Sequence, residues 1–184
     1  MKKFLAILLA LCLIFCMMPA ALANSVEANV IDQLRNVVKE YLDEEGYTYE
    51  YNEASQVFTL DFALDCALET VPVTIYLFDD MVAVDVDSPL AITEEAFGNA
   101  AIFTTLANNE IYYAHFRIDR ESGYLTCRSC QMVETVVPDV QEINTLFVMP
   151  LVYMETYGDG IAQISAGSDP YEAFEACQTA LAAQ

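Results

Sequence analysis

Apolar and polar residues alternate along three segments in the first half of the chain, which predicts β-strands. In residues 57–66 the even positions are apolar and most odd positions are polar, and residues 71–77 and 82–86 carry the same alternation. Asp79 and Asp80 mark a turn between the last two segments. Because such short connections join antiparallel neighbours, the pattern predicts a meander with one face buried under helices.

Two helices are predicted in this half from apolar residues spaced three and four positions apart. Ser25 can cap the first helix and Gly46 ends it. A short strand at residues 47–51 follows. Thr93 can cap the second helix, and Asn108-Asn109 at its end is the residue type that tolerates a left-handed conformation.

Two more helices are predicted in the second half. One follows Pro138 and is bent or interrupted at Pro150, with Gly158 and Gly160 punctuating it further on. The other opens at Asp169-Pro170, where an acidic cap precedes proline at the first helical position. Its predicted apolar face comprises Tyr171, Phe174, Cys177 and Leu181.

Between these helical regions lies a hairpin whose register can be counted from its loop. Residues 120–123 form a four-residue loop in which Gly123 takes a positive φ. When the register is counted outwards from the loop, residues of like polarity are paired on each face of the hairpin. The predicted pairs are Asp119 with Tyr124, Ile118 with Leu125, Phe116 with Cys127, His115 with Arg128, and Tyr113 with Cys130.

Together these elements predict an α+β fold with two layers, an antiparallel sheet covered on one face by helices. The order is of the α-β(3)-α-β(2)-α type, with an extra short N-terminal strand and a C-terminal helix. With no internal repeat and no low-complexity linker, residues 24–184 are predicted to form a single domain.

The first 23 residues have the pattern of a secretory signal peptide. Lys2 and Lys3 precede an apolar run at residues 4–18, and Ala21-Leu22-Ala23 forms a small-residue cleavage site. The apolar run is shorter than the approximately 20 residues of a spanning helix, which favours cleavage after Ala23 over retention as an anchor. The sequence therefore predicts a secreted or extracytoplasmic protein with no stable membrane anchor.

The charge of the chain excludes one class of partner. Removing the signal takes two of seven basic residues and none of 28 acidic ones, so the net charge of −21 becomes −23. Such a surface repels phosphate backbones and anionic membranes. No nucleic acid is expected as a partner.

Four cysteines remain in the predicted mature chain, and three disulfide connectivities are possible. Cys127 and Cys130 have a CxxC spacing but lie in a predicted strand. Three residues apart, they point to opposite faces with Cα atoms roughly 10 Å apart, beyond disulfide reach. Cys66 and Cys127 are expected to face inwards and could pair with each other or with Cys177, whereas Cys130 is expected to face outwards. The alternative function is a thiol or metal-binding protein that uses Cys127 and Cys130.

The residues for catalysis or a bound cofactor are sparse. His115 is the single histidine, and its predicted neighbour Arg128 opposes metal binding. No serine lies in a nucleophile-elbow context, and 28 acidic residues make any carboxylate pair unspecific. The sequence predicts no enzyme, no metal and no cofactor.

The open face of the sheet is the remaining candidate site. Strand parity places aromatic, methionine and cationic residues there, which are types enriched at protein interfaces. Such a face suits an unknown protein partner or self-association; the alternative is a solvated face whose arginines neutralise nearby acids. The predicted residues are Tyr76, Phe78, Tyr113, His115, Arg117 and Arg128, with Met81 and Met132 beside them.

The order of elements, with several local motifs, resembles the YbjN family and, more distantly, the type III secretion chaperone-like fold. The motifs are YTYEY at residues 47–51, VDSPLAI at 86–92, the asparagine-bearing end of the second helix, FRIDRESGYL at 116–125 and GDGIAQISAGSDPYEAFEAC at 158–177. The resemblance covers residues 26–177. It implies a two-layer domain with a regulatory or chaperone-like role and no catalytic residues, here in an exported member.

Overall fold

The structure is a computed structural model that describes residues 30–134 and 136–183. Six strands and four helices form a mixed α+β fold in these residues, which confirms the predicted fold class. The elements are α1 (residues 30–44), β1 (Glu50–Asn52), β2 (Val57–Ala63), β3 (Thr70–Leu77), β4 (Met81–Ala91), α2 (Phe97–Asn108), β5 (His115–Ile118), β6 (Tyr124–Met132), α3 (Val140–Ser165) and α4 (Pro170–Ala182).

The six strands make one antiparallel sheet in the order β1-β2-β3-β4-β6-β5. Strands β1 to β4 form the predicted meander. The hairpin then joins with its second strand inwards, so that β6 pairs with β4 and β5 becomes an edge strand. A register shift between Asp87 and Ala91 bends the end of β4.

The β5–β6 hairpin has the register that its loop predicts. His115 pairs with Arg128, Phe116 with Cys127 and Ile118 with Leu125. Gly123 has a φ of +73°, and a Cβ there would lie 2.6 Å from the backbone oxygen of Ile92. Glycine is therefore required both for the turn and for this close approach.

Helices cover one face of the sheet and bury its alternate apolar residues. α3 packs on β4 and β6, α2 packs on β5, and α4 packs on α2 and α3. Edge-to-face aromatic contacts connect the sheet to the helices, between Phe116 and Tyr157 and between Phe62 and Phe147. A further contact of this kind, between Phe103 and Tyr157, connects α2 to α3. The other face of the sheet is the one that concerns function.

Helix α3 continues through Pro150 as one helix of 26 residues, so the alternative of an interruption at Pro150 and the punctuation at Gly158 and Gly160 are wrong. Both glycines lie within α3 because neighbouring elements pack against them. A Cβ on Gly160 would lie 2.6 Å from Phe103 and 2.7 Å from Cys177 Sγ, and one on Gly158 would overlap Cys66 Sγ. Tertiary packing thus outweighs the low helix propensity of glycine.

The helix ends agree with the predictions only in part. Residue 44 is the last of α1 and Gly46 follows with a φ of +74°, as expected. Thr93 accepts from the Ala96 N–H in the turn before α2, whose own N-cap is Ala96. Asn109 at the end of α2 has a φ of −75°, so the predicted left-handed conformation is wrong there.

The last two helices begin at acidic caps. Asp139 and Glu142 form a capping box for α3, and the side chain of Asp169 accepts two backbone N–H groups of α4. The predicted apolar face of α4 is only partly buried. Cys177 lies in the core, whereas Tyr171 and Leu181 are exposed.

The predicted tyrosine-rich strand is shorter than expected and starts at Glu50. Tyr47 instead packs its ring against Phe147, with centroids 5.3 Å apart. Ser25 and the predicted signal peptide at residues 1–23 lie outside the described residues, so cleavage and export stay predictions. No helix in the described part of the chain has the length and apolar character needed to cross a membrane.

Candidate contact face on the open side of the sheet

The face of the sheet that the helices leave open carries one residue in two from each strand. The pairing of β3, β4, β6 and β5 aligns Thr74, Asp85, Arg128 and His115 in one row across this face. The row next to it contains Tyr76, Ala83 and Cys130. The predicted residues of β3, β5 and β6 are thereby brought to one surface.

Asp85 lies at the centre of this face, and its side chain is only 2% exposed although no helix covers it. Arg128 donates from Nε to Oδ1 and from Nη2 to Oδ2, both at 2.5 Å. Arg117 donates from Nη2 to Oδ2 at 2.8 Å. One carboxylate therefore fixes two guanidinium groups, and removing either partner from a buried ion pair is costly.

The two arginines differ in exposure. The Arg128 side chain is 25% exposed, and its guanidinium lies over the ring of Tyr76 at 5.9 Å from the centroid. Its hydrogen bond with Asp85 raises the pKa of Arg128. The Arg117 side chain is 46% exposed, so a larger part of its guanidinium faces solvent.

His115 ends the row and has a lowered pKa. Burial lowers its pKa, and the charges of Arg128 and Arg117 lower it further against the opposite effect of Asp85.

The residues that the structure describes contain no group of three or more histidine, cysteine or acidic residues placed to hold a metal ion.

One end of the open face is apolar. The rings of Tyr76 and Phe78 stack with centroids 6.1 Å apart, and Met81 pairs with Met132 across β4 and β6. Phe78 is 42% exposed and Met132 is 59% exposed. We call the whole surface the contact face; it comprises Tyr76, Phe78, Met81, His115, Arg117, Arg128 and Met132.

Tyr113 is the predicted residue that the sheet does not include. Strand β5 begins at His115, so the predicted pairing of Tyr113 with Cys130 is wrong. Tyr113 lies in the segment before the strand and is exposed, as is Tyr112.

Sequence reasoning missed the central role of Asp85. The alternation in β4 places Asp85 and Asp87 on the open face, but it indicates no partner for either acid. A lone acid in the middle of a Val-rich strand was the available signal, since such a residue needs a partner when buried. Asp87 has one as well, because the Thr126 hydroxyl donates to it.

The four cysteines within residues 30–134 and 136–183 are free thiols and do not form a reactive pair. Cys127 is buried and Cys130 is exposed, so they occupy opposite faces of β6. Burial, with a contribution from Asp85, raises the pKa of the Cys127 thiol well above its ordinary value. Burial also raises the pKa of Cys66 and of Cys177. None of these three buried or half-buried thiols has the lowered pKa of a catalytic cysteine.

The fold and this face define an α+β chain with an antiparallel sheet, helices on one side and an amphipathic surface on the other. No family model and no curated protein sequence matches it. Among solved structures it is similar to YbjN from E. coli at 14% identity and a TM-score of 0.49, covering 67% of this chain and 90% of that one. It is also similar to a chain of the ExsC–ExsE complex at 13% identity and a TM-score of 0.43, covering 67% and 92%. Because both TM-scores are below 0.5, membership of the YbjN family stays a prediction and function is inferred from this chain's own residues.

Proposed function

We propose that this chain is a non-enzymatic protein-binding module of the extracytoplasmic space that uses the contact face to hold its partner. The observation that carries the proposal is the junction on this face between exposed apolar side chains and a fixed pair of arginines. Phe78 and Met132 form the apolar part, and Arg117 and Arg128 form the cationic part.

The apolar part supports binding because of its clustering. Single exposed apolar side chains are normal on protein surfaces, but contiguous patches mark interaction sites. Here Phe78 stacks on Tyr76, and Met81 in β4 pairs with Met132 in the neighbouring strand β6. Aromatic residues, methionine and arginine are the types enriched at interfaces, and all three occur together on this face.

The cationic part supports binding because its geometry is already set. Asp85 holds both guanidinium groups, and Tyr76 supports the Arg128 guanidinium from below. Side chains that are ordered before binding lose less entropy when a partner arrives. Arginines fixed in this way contribute more to affinity than free surface arginines.

A solvated sheet face whose arginines only neutralise acids explains the pairs with Asp85. It does not explain why Phe78 and Met132 are exposed beside those pairs, since a solvated face would place polar residues there. The apolar end therefore favours a contact surface over a purely solvated one.

A non-enzymatic role is supported by the surroundings of the single imidazole. His115 has two arginines as its charged neighbours, and the nearby Asp85 carboxylate is engaged by both of them. A general base needs a carboxylate or carbonyl that orients it and a nucleophile within reach. The export of the module rests on the signal-peptide pattern of residues 1–23.

Cross-linking in the producing cells tests the proposal. Tagged wild-type protein, a Phe78→Ser variant and a Tyr171→Ser control are compared in the extracellular fraction. Tyr171 is an exposed aromatic on α4, 57% exposed against 42% for Phe78. We expect a defined cross-linked partner with the wild type and the control, and its loss with Phe78→Ser. Equal cross-linking by all three proteins, or none by the wild type, contradicts the proposal.

A further inference from the structure

We infer that the partner of the contact face is a segment of another protein that places a carboxylate beside Arg117 and an apolar side chain against Phe78 and Met132. This inference rests on the proposed function and specifies the chemistry of the partner. It follows from how the basic residues are paired, from the potential at His115 and from the spacing along β6.

The first step is the pairing of the basic residues. In the part of the chain that the structure describes, Arg35 pairs with Asp32 and Lys39 with Asp43, one carboxylate to each cation. Arg117 and Arg128 instead share the single carboxylate of Asp85. The triad therefore carries one more positive than negative charge at the centre of the contact face.

The second step is the effect of this charge on its neighbour. Both guanidinium groups lower the pKa of His115, and the Asp85 carboxylate only partly opposes them. Beside His115 the two guanidinium groups thus outweigh the Asp85 carboxylate, although the chain carries a net charge of −21. An anionic group is thus attracted to this place and repelled elsewhere, which fixes the position of a partner.

The third step is the free hydrogen-bonding capacity of Arg117. A guanidinium has five N–H donors, and the structure gives Arg117 one acceptor, Asp85 Oδ2. Its side chain is 46% exposed, so other donors are open to a second carboxylate. Guanidinium and carboxylate groups pair through two parallel hydrogen bonds, which gives directional recognition.

The direction of approach follows from the surroundings of Arg117. Arg117 itself lines a cavity of about 380 Å³ together with Asp87 and Asp119, and on that side these acids repel a carboxylate. On the other side lie Arg128, Cys130 and the apolar end of the face. A carboxylate therefore approaches over Arg128 and His115, and the rest of the partner extends towards Met132.

The spacing along β6 sets the motif. Arg117 binds Asp85, which pairs with Arg128, so its guanidinium lies at the level of Arg128. Arg128 and Met132 are four residues apart in β6, which is about 13 Å at roughly 3.3 Å per residue. An extended partner segment spans this distance with an acidic residue and an apolar residue four positions apart. A second copy of this chain is disfavoured because two strongly acidic chains repel each other.

Selection of binding peptides tests the inference. A displayed library of random peptides is selected on the wild-type protein, and the affinities of synthetic peptides are then measured with Arg117→Gln and with Arg120→Gln as the control. Arg120 lies in the hairpin loop outside the triad. We expect selected peptides to share an acidic and an apolar residue, and Arg117→Gln to weaken them about tenfold, equivalent to about 1.4 kcal/mol. Arg120→Gln should leave the affinity unchanged.

Other outcomes separate this inference from the proposed function. Selection of basic peptides, or equal binding by Arg117→Gln, overturns the inference, and the proposed function survives if Phe78→Ser still abolishes binding. If Phe78→Ser also binds normally, both are overturned. A dimer in light scattering that Phe78→Ser dissociates makes a second copy the occupant and overturns the inference. Thermal unfolding of each variant shows that it is folded.

Discussion

The side-chain amide of Asn108 binds both backbone polar groups of Phe116. Its Nδ2 donates to the Phe116 carbonyl oxygen at 2.9 Å, and its Oδ1 accepts from the Phe116 N–H at 2.7 Å. Phe116 lies in edge strand β5, so the amide takes the position that a further strand would occupy. The end of α2 thereby closes part of an exposed sheet edge.

Replacing Asn108 with alanine should remove this closure. The Phe116 N–H and carbonyl lose their partners, and we expect the free energy of unfolding in urea to fall by about 1–3 kcal/mol. Asn109→Ala is the matched control because Asn109 is exposed and has no side-chain hydrogen bond in the structure. Its change should stay within about 0.5 kcal/mol. Equal stability of the two variants contradicts the closure.

Gly160→Ala should destabilise the protein because the space beside this glycine is already filled. The new Cβ would lie 2.6 Å from Phe103 and 2.7 Å from Cys177 Sγ, and overpacking of this kind costs about 1–3 kcal/mol. Gly98→Ala is the control within α2, where nothing lies within 4 Å of the added atom. That variant should gain about 0.5–1 kcal/mol through helix propensity. Chemical denaturation measures both, and the opposite order of stabilities would be inconsistent with this packing.

The two arginines of the triad should differ in their effect on stability. Arg128→Gln removes a bidentate partner from the buried Asp85 carboxylate, so we expect a loss of about 3 kcal/mol. Arg117→Gln removes one bond from a more exposed cation and should cost about 1 kcal/mol or less. Urea denaturation at neutral pH compares the two. A larger loss for Arg117→Gln would show that Arg117 is the main partner of Asp85.

His115 should make stability depend on pH in a defined direction. Its pKa in the folded chain is lowered by burial and by Arg128 and Arg117, so the unfolded chain takes up the proton first as pH falls. Stability is fully present above the unfolded value of about 6.5 and is lost as pH falls below it. We expect His115→Gln to lose less stability than the wild type between pH 7.5 and 5.5, a range set by the ordinary histidine pKa of about 6.5.

An NMR titration of the imidazole provides the control for this dependence. The wild-type pKa should lie below that of a histidine in a short peptide, and in Arg117→Gln it should rise towards it because one of the two cations is gone. A wild-type pKa at or above the peptide value would contradict the positive potential on which the partner chemistry depends.

The thiols should react in the order of their exposure. Cys130 is exposed, Cys66 is half-buried, and Cys127 and Cys177 are buried. With a thiol-specific reagent we expect one fast reaction in the native protein, which Cys130→Ser abolishes. Cys127 should react only after unfolding, since its thiolate is strongly disfavoured by burial. For a chain that begins at residue 24 and so has four cysteines, fewer than four titratable thiols after unfolding without reductant would show that a disulfide forms.

Local patterns predicted the elements and the hairpin because both depend on neighbouring residues. Period-two alternation gave the strands, and the loop at Gly123 fixed the pairing of His115 with Arg128 by counting. The same parity placed Tyr76, His115, Arg117 and Arg128 on the open face. The helix glycines were misread because propensity describes an isolated helix, whereas Phe103 and Cys177 come from other parts of the chain.

The centre of the site could not be predicted because it depends on a distant pairing. Asp85 and Arg128 meet only because β6 lies beside β4, and no local pattern records which of the two hairpin strands turns inwards. Asn108 was misread for the same reason. Its side chain binds a strand edge eight residues away instead of ending the helix in a left-handed residue.

The position of β6 in the sheet also constrains the order in which the chain can fold during synthesis. Strand β4 is complete at Ala91, but β6, which pairs with its other edge, ends only at Met132, after α2 and β5 have been made. Until then β4 presents an unpaired edge of 11 residues rich in valine and alanine. Such edges promote aggregation, so a nascent or truncated chain ending before residue 124 should need a chaperone that the finished protein does not.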